Sequence, residues 1–286
     1  MISIISCTRN HNSANALKKN IVESIGLWEG KDFEFVFIDN NNRKNSIFQA
    51  YNIGVQKSIG DILCFVHDDV SFITHGWGEI VNQTFYKHEN IGCLGVAGTH
   101  FMADTPASWW HSHFTSIRVL LDNNGNVSLA ERHEIINDRH LTTVASVDGL
   151  WFCIRKDLFK HISFDEVTFS GFHCYDSDIC MQILQIGYTI SVTFDILVKH
   201  KAVAEVDMSY FNAIKAWHNK WKSFLPLQRG ISITVEDIER FTGLICDSVE
   251  NEEKYTRIKT SKAFRIGTVI QKKSRFLHTI FKPNYS

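Results

Sequence analysis

No Cys-x-x-Cys pair occurs in this chain, and its seven cysteines are scattered and odd in number. That excludes a zinc ribbon and a fully paired disulfide framework, and it favours a reducing compartment. Proline is scarce, at three residues, so no proline-rich linker divides the chain. No charge of one sign dominates: 30 Lys and Arg face 31 Asp and Glu, a formal net charge of −1. The molecule therefore lacks the positive field of a nucleic-acid binder, and no nucleic-acid partner is expected. No apolar run approaches the ~18 residues that span a bilayer. The first residues, Met1-Ile2-Ser3-Ile4-Ile5-Ser6-Cys7, read as a strand rather than a signal peptide, because they carry no basic segment and no cleavage site. The expected location is cytoplasmic. A glycine-rich phosphate loop is also missing.

What is there is an alternation of short strands and helices. The 286 residues, 44% hydrophobic, suffice for one large domain or a domain plus an extension. Strands are expected at Ile2 to Cys7, Phe33 to Ile38 ending in Asp39, Ile62 to Val66, Ile91 to Ala97, Val144 to Val147 and Ile190 to Phe194. Between them, Asn12 or Ser13 caps a helix with Leu17, Ile21, Ile25 and Trp28 on one face. Ile47, Tyr51 and Val55 mark a second helix, and Trp77, Ile80, Val81 and Phe85 a third. Asn123-Asn124-Gly125-Asn126 is a turn between two short strands. Asp176 or Ser177 opens a helix ended by Gly187, and Tyr210, Ile214, Trp217 and Trp221 fit a long helix closing near Pro226. This rhythm argues for βαβ units: an α/β fold with a mixed, mostly parallel sheet flanked by helices.

The expected domain is residues 1–226, followed by a helical, basic C-terminal extension, 227–286. Thr234-x-x-Asp237 resembles a capping box before Ile238, Phe241, Ile245 and Val249. After Glu253 no acid remains and nine Lys or Arg follow, among them Lys272-Lys273-Ser274-Arg275-Phe276-Leu277. A tail of that kind can lie on an anionic membrane surface as a peripheral contact. A solvated or subunit-packing tail has the same composition and is the simpler reading.

The chemistry is expected where His67-Asp68-Asp69 follows the apolar run Ile62-Leu63-Cys64-Phe65-Val66. In open α/β sheets ligands bind beyond the carboxyl ends of the strands. Charges gathered there are costly unless paired, and carboxylate oxygen suits Mg²⁺ or Mn²⁺ carrying a phosphorylated ligand. Helix capping by the acids is the competing reading. Asp39, at the end of the second strand, can bond a base or ribose, or simply hold the turn Asp39-Asn40-Asn41-Asn42. Asp176 and Asp178 begin a helix; one suffices as a cap, leaving the other for general-base work. His200 can complete a metal shell or be structural. Trp109, Trp110, Trp151 and Phe172 can stack on sugar rings or fill the core.

Taken in order, these segments resemble the family 2 glycosyltransferases of the GT-A (Rossmann-like) fold, and within them the StrF-like bacterial subgroup. The likeness spans about residues 1–205. It rests on Ser3-Ile4-Ile5-Ser6-Cys7-Thr8-Arg9-Asn10, Phe35-Val36-Phe37-Ile38-Asp39-Asn40, Ala50-Tyr51-Asn52-Ile53-Gly54, Phe65-Val66-His67-Asp68-Asp69-Val70, Val147-Asp148-Gly149 and Tyr175-Asp176-Ser177-Asp178. The resemblance implies an inverting, metal-dependent glycosyltransferase using Mn²⁺ or Mg²⁺. Its donor would be a nucleotide-diphosphate sugar, by family habit a UDP-sugar, and its acceptor a saccharide or a lipid-linked glycan. It implies donor or acceptor contacts from Cys7, Thr8, Arg9, Asp39, Asn52, Asp68, Asp148, Gly149 and Trp151. His67 and Asp69 take the outer positions of the Asp-x-Asp motif, His200 matches a distal histidine, and the base is Asp176 or Asp178. Two positions depart from the family pattern: His67 replaces the first Asp, and Tyr175 stands where Glu is usual. A nucleotide-sugar hydrolase or nucleotidyltransferase, or a non-catalytic nucleotide-sugar binder, would use the same cleft.

Overall fold

Strand Ile2–Thr8 is an interior strand of the main sheet, as its apolar residues demand: all but Cys7 are buried. The computed structural model describes residues 1–133, 140–201 and 206–261. A seven-stranded sheet runs in the order Leu141–Val144, Thr189–Thr193, Ile91–Gly95, Trp151–Arg155, Ile62–Val66, Ile2–Thr8, Phe33–Asp39. Ile2–Thr8 is parallel to both its neighbours, with Thr8 opposite Asp39. Ile62–Val66 is buried along its whole length, which a continuous apolar run predicts. The sheet is mixed and mostly parallel in sense: five of its seven strands share one direction and two run against it. Trp151–Arg155 runs antiparallel to both its neighbours, with Trp151 opposite Val66, and Leu141–Val144 is antiparallel to Thr189–Thr193. Hydrophobic period does not encode strand direction, so the sequence could not supply this.

A second sheet, in the order Ser146–Val147, Ala97–Thr99, Thr115–Asn123, Val198–Lys201, Val70–Phe72, crosses the carboxyl ends of the first. The strand expected over Ile91 to Ala97 divides at Val96, one part in each sheet. Thr115–Asn123 and Asn126–His133 form the expected hairpin, with Asn123 opposite Asn126. Its two loop residues, Asn124 and Gly125, both have positive φ (52° and 91°), the geometry this two-residue turn requires.

Helices His11–Ser24, Ile47–Lys57, Trp77–Lys87, Tyr175–Gln185 and Met208–Trp221 accompany the sheets. Asn10, not Asn12 or Ser13, caps the first, accepting from Ser13 N at 2.8 Å. That helix stops at Ser24, so Trp28 lies beyond it and is 75% exposed. The cap of Tyr175–Gln185 is Cys174, in a left-handed conformation and without a side-chain hydrogen bond, which leaves both Asp176 and Asp178 free of the capping role. Between helix Ile47–Lys57 and the sheet, Tyr51, Phe65, Phe152, Phe164 and Tyr175 meet ring against ring. Burying each such ring contributes about 2–3 kcal/mol.

Helix Val235–Thr260 is capped by Thr234, which accepts from Asp237 N. It buries Ile245 and Val249 and is tied to the body by Lys215–Glu253 and His111–Glu252. Among the described residues no helix is long and apolar enough to cross a membrane. The basic segment Lys272 to Leu277 lies outside the described residues.

Candidate functional site

One tight turn, Asp148-Gly149-Leu150, organises the site through its backbone. Leu150 O accepts from His67 N (3.0 Å), and Gly149 O accepts from the Tyr175 hydroxyl (3.0 Å). Gly149 N donates to Asp176 Oδ2 (2.9 Å) and Leu150 N to Asp148 Oδ1 (2.7 Å). Only glycine fits the centre of this turn, because a Cβ at 149 would stand 2.0 Å from the Tyr175 hydroxyl. The end of strand Ile62–Val66 and the start of helix Tyr175–Gln185 are thereby held to one point.

His67, Asp69 and His200 converge beside that turn. Strand Val198–Lys201 runs antiparallel to Val70–Phe72 with His200 opposite Val70, which brings its imidazole to Asp69. His200 Nε2 lies 3.3 Å from Asp69 Oδ1. The His67 and His200 rings are 5.7 Å apart, and ligand atoms of the three residues all lie within 4.8 Å of one another. Asp69 Oδ1 is buried without a hydrogen-bond partner. A buried carboxylate oxygen whose one close polar neighbour is an imidazole, beside a second imidazole, is a donor set that suits a divalent transition cation.

The electrostatics treat the three groups differently. Burial, and then His200, push His67 down to about 4, so it is neutral and offers a lone pair at neutral pH. Burial opposes ionisation of Asp69, but His200 and His67 outweigh it and hold the carboxyl below the usual range. His200 moves the other way: burial is overcome by Asp69 and Asp148, and its pKa rises. Tyr175 adds a constraint on His67. Its hydroxyl stands 2.5 Å from His67 Nε2 while donating to Gly149 O. A phenol has one proton. With that proton on Gly149 O, His67 donates from Nε2, and Nδ1 carries the lone pair.

The two acids of the helix part company. Asp178 is 1% exposed and saturated: Oδ1 accepts from Lys220 Nζ (2.7 Å) and Trp221 Nε1 (2.8 Å), and Oδ2 from Gln182 Nε2 (2.8 Å). Asp176 is partly open and has only backbone donors, Gly149 N and Ser177 N. Burial, and then the Asp148 charge, push it up to about 7. Burial likewise raises Asp148.

The remaining predicted residues divide. Asp68 accepts from Arg9 N (2.9 Å), its carboxylate lies 3.9 Å from the Arg9 guanidinium, and it orders the neighbouring strand end. Cys7, Thr8 and the exposed Asp39 share that edge, where Asp39 holds an Asx turn with Asn41 N (3.0 Å). Asn40 links them, placing Nδ2 3.5 Å from Cys7 Sγ and bonding Asn45. Asn52 and Trp151 are not at the cleft. Both ends of the Asn52 amide clamp the backbone of Phe164. Trp151 is fully buried against Trp77 and donates to Cys64 Sγ (3.0 Å), because its antiparallel strand turns it into the core. Reading the sequence did not find Tyr175 as the support of His67 or Lys220 as the partner of Asp178. Both contacts join residues far apart in the chain, and no motif carries them.

The family model described as glycosyltransferase like family matches residues 3–225. No curated protein matches. Among solved structures, S. aureus TarS 1-349 superposes with a TM-score of 0.54 at 11% identity, over 91% of this chain and 75% of that one. The same protein in complex with UDP-GlcNAc gives 0.53 at 11%, over 92% and 77%. GalNAc-T7 with UDP, GalNAc and Mn²⁺ gives 0.52 at 10%, over 94% of this chain and 57% of that one. The chain thus spans little more than half the length of the GalNAc-T7 chain. At these identities the likeness is one of fold, and the fold is GT-A.

Proposed function

The chain belongs to the glycosyltransferase-like family, and from that premise we propose that it moves a sugar from a nucleotide-diphosphate donor to a hydroxyl of a saccharide or glycolipid, with inversion. The observation that carries this reading is the convergence of His67, Asp69 and His200 with Asp176 around the Asp148–Leu150 turn. UDP is the proposed donor nucleotide, since the fold neighbours were crystallised with UDP-GlcNAc and with UDP, GalNAc and Mn²⁺.

His67, Asp69 and His200 would hold a divalent cation. Two imidazoles with one carboxylate favour Mn²⁺ over Mg²⁺, which prefers an all-oxygen shell. When bound, such a cation neutralises charge on a diphosphate leaving group. The protein's own residues do the rest. Asp176, fixed by Gly149 N and Ser177 N, is the proposed base: as the acceptor oxygen bonds the anomeric carbon and the sugar–phosphate bond breaks, its carboxylate takes the hydroxyl proton. An acid pushed up to about 7 is matched to that task near neutral pH. Arg9, with an exposed guanidinium beside Asp68, adds positive charge on the donor side. Asp178, neutralised by Lys220, is proposed to be structural.

The test is UDP release from a panel of UDP-sugars with Mn²⁺, with and without saccharide acceptors. Release that requires an acceptor supports transfer. Release without one indicates a hydrolase, and formation of UTP and sugar 1-phosphate when pyrophosphate is added indicates a nucleotidyltransferase.

A further inference from the structure

Four aromatic residues stood out in the sequence as partners for a sugar ring, and the fold separates them. Trp109 and Trp151 are buried. Trp110 and Phe172 are 46% and 41% exposed. These two exposed rings are the ends of one continuous aromatic path that begins at the candidate metal centre. Phe172 stands 5.4 Å from His67, His173 5.9 Å from Phe172, Tyr210 5.4 Å from His173, and Trp110 5.3 Å from Tyr210.

Trp110 is held rather than loose. Tyr210, itself buried, and His111 stack on it at interplanar angles of 21° and 29°, Trp109 packs edge-on at 6.2 Å, and the ring is still 46% exposed. Its neighbour His111 is fixed by Ser108 N at Nδ1 and by Glu252 at Nε2. A fixed aromatic face left in water forgoes favourable burial unless a ligand covers it. Polar groups border the path: His173, the Glu252 carboxylate, and the Arg9 guanidinium, 5.9 Å from the Phe172 ring. Flat apolar surface interrupted by hydrogen-bonding edges complements a sugar ring, which has C–H faces and hydroxyl rims. An alkyl chain would need an uninterrupted apolar patch.

We infer that Trp110 is a remote acceptor subsite, so that the acceptor is a saccharide chain of several residues. Its reacting end would lie near Phe172 and Asp176 while a later sugar stacks on Trp110. The inference rests on the glycosyl-transfer reading and names its acceptor class. Stacking on an aromatic ring is worth enough that removing the ring weakens binding about tenfold.

The full chain, with Mn²⁺ and UDP, would be applied to an array of mono- to hexasaccharides, with Trp110→Ala and Trp110→Phe alongside. The expected result is binding of oligosaccharides but not monosaccharides, weakened about tenfold by Trp110→Ala and largely kept by Trp110→Phe. Melting temperature and UDP binding of both variants should equal those of the parent. Equal glycan binding by Trp110→Ala overturns the subsite. So does a folded parent that binds UDP but no glycan, or that binds a monosaccharide as well as its oligomers. Loss of UDP binding in the parent itself would instead overturn the glycosyl-transfer reading.

Discussion

Asp176 and Asp178 sit two residues apart in one helical turn, yet the two sides of that helix treat a carboxylate in opposite ways. The side facing helix Met208–Trp221 surrounds Asp178 with an ammonium, an indole N–H and an amide. Every lone pair that burial takes from water is returned there by a fixed donor. The side facing the Asp148–Leu150 turn gives Asp176 two backbone N–H groups and a second acid nearby, but no cation. Burial raises both acids, but at Asp178 Lys220, Trp221 and Gln182 work against it, whereas at Asp176 the nearby Asp148 adds to it and only backbone N–H groups oppose it. The difference teaches how to separate a structural acid from a reactive one: count compensating cations, and ask whether solvent or substrate can still reach an oxygen.

That contrast can be broken by exchange. Asp176→Asn should lower the transfer rate about a thousandfold or more while leaving UDP binding intact, as expected when a positioned base is lost. In the parent, kcat/KM should climb with pH through about 7 and then level off, because the base works only after losing its proton. An unchanged rate in Asp176→Asn would remove the base assignment. Asp178→Asn should do the reverse: about 3 kcal/mol of stability lost in urea unfolding, from the broken Lys220 and Trp221 contacts, with donor binding kept in the folded fraction. Stability within experimental error of the parent would show that the ion pair is idle.

Smaller effects sharpen the picture. Tyr175→Phe should weaken Mn²⁺ binding, read by electron paramagnetic resonance, by about tenfold, since a group orienting a ligand is worth that much. Undiminished Mn²⁺ affinity would mean the hydroxyl does not orient His67. The smallest effect concerns stability against pH. Asp176 is raised in the folded state, so folding binds a proton, and stability declines as pH rises from about 4 to about 7. Asp176→Asn lacks this slope. Against the parent it should gain stability above pH 7, with the gain vanishing below about pH 4. Parallel pH–stability curves would contradict the raised affinity.

Much of this was legible in the sequence. Strand Ile62–Val66 and the hairpin turn at Asn124-Gly125 were read from apolar continuity and turn chemistry, both local signals. Strand Trp151–Arg155 was not read, neither its presence nor its antiparallel direction, and with it went the burial of Trp151. His67 and Asp69 were read as metal ligands from their place at a strand end and His200 only as one of two readings, because the register bringing His200 to Asp69 joins elements more than a hundred residues apart. Asp176 and Asp178 could not be told apart in the sequence, because Lys220, Trp221 and the Gly149 amide are invisible to local pattern.

The central claim is that this turn joins a cation site to a separate base. It is tested most directly by calorimetric titration of UDP, with and without Mn²⁺, into the parent, Asp69→Asn and Asp176→Asn. The account predicts Mn²⁺-dependent binding in the parent and in Asp176→Asn, and at least about tenfold weaker binding in Asp69→Asn. Equal affinity in all three, or binding indifferent to Mn²⁺, would contradict it.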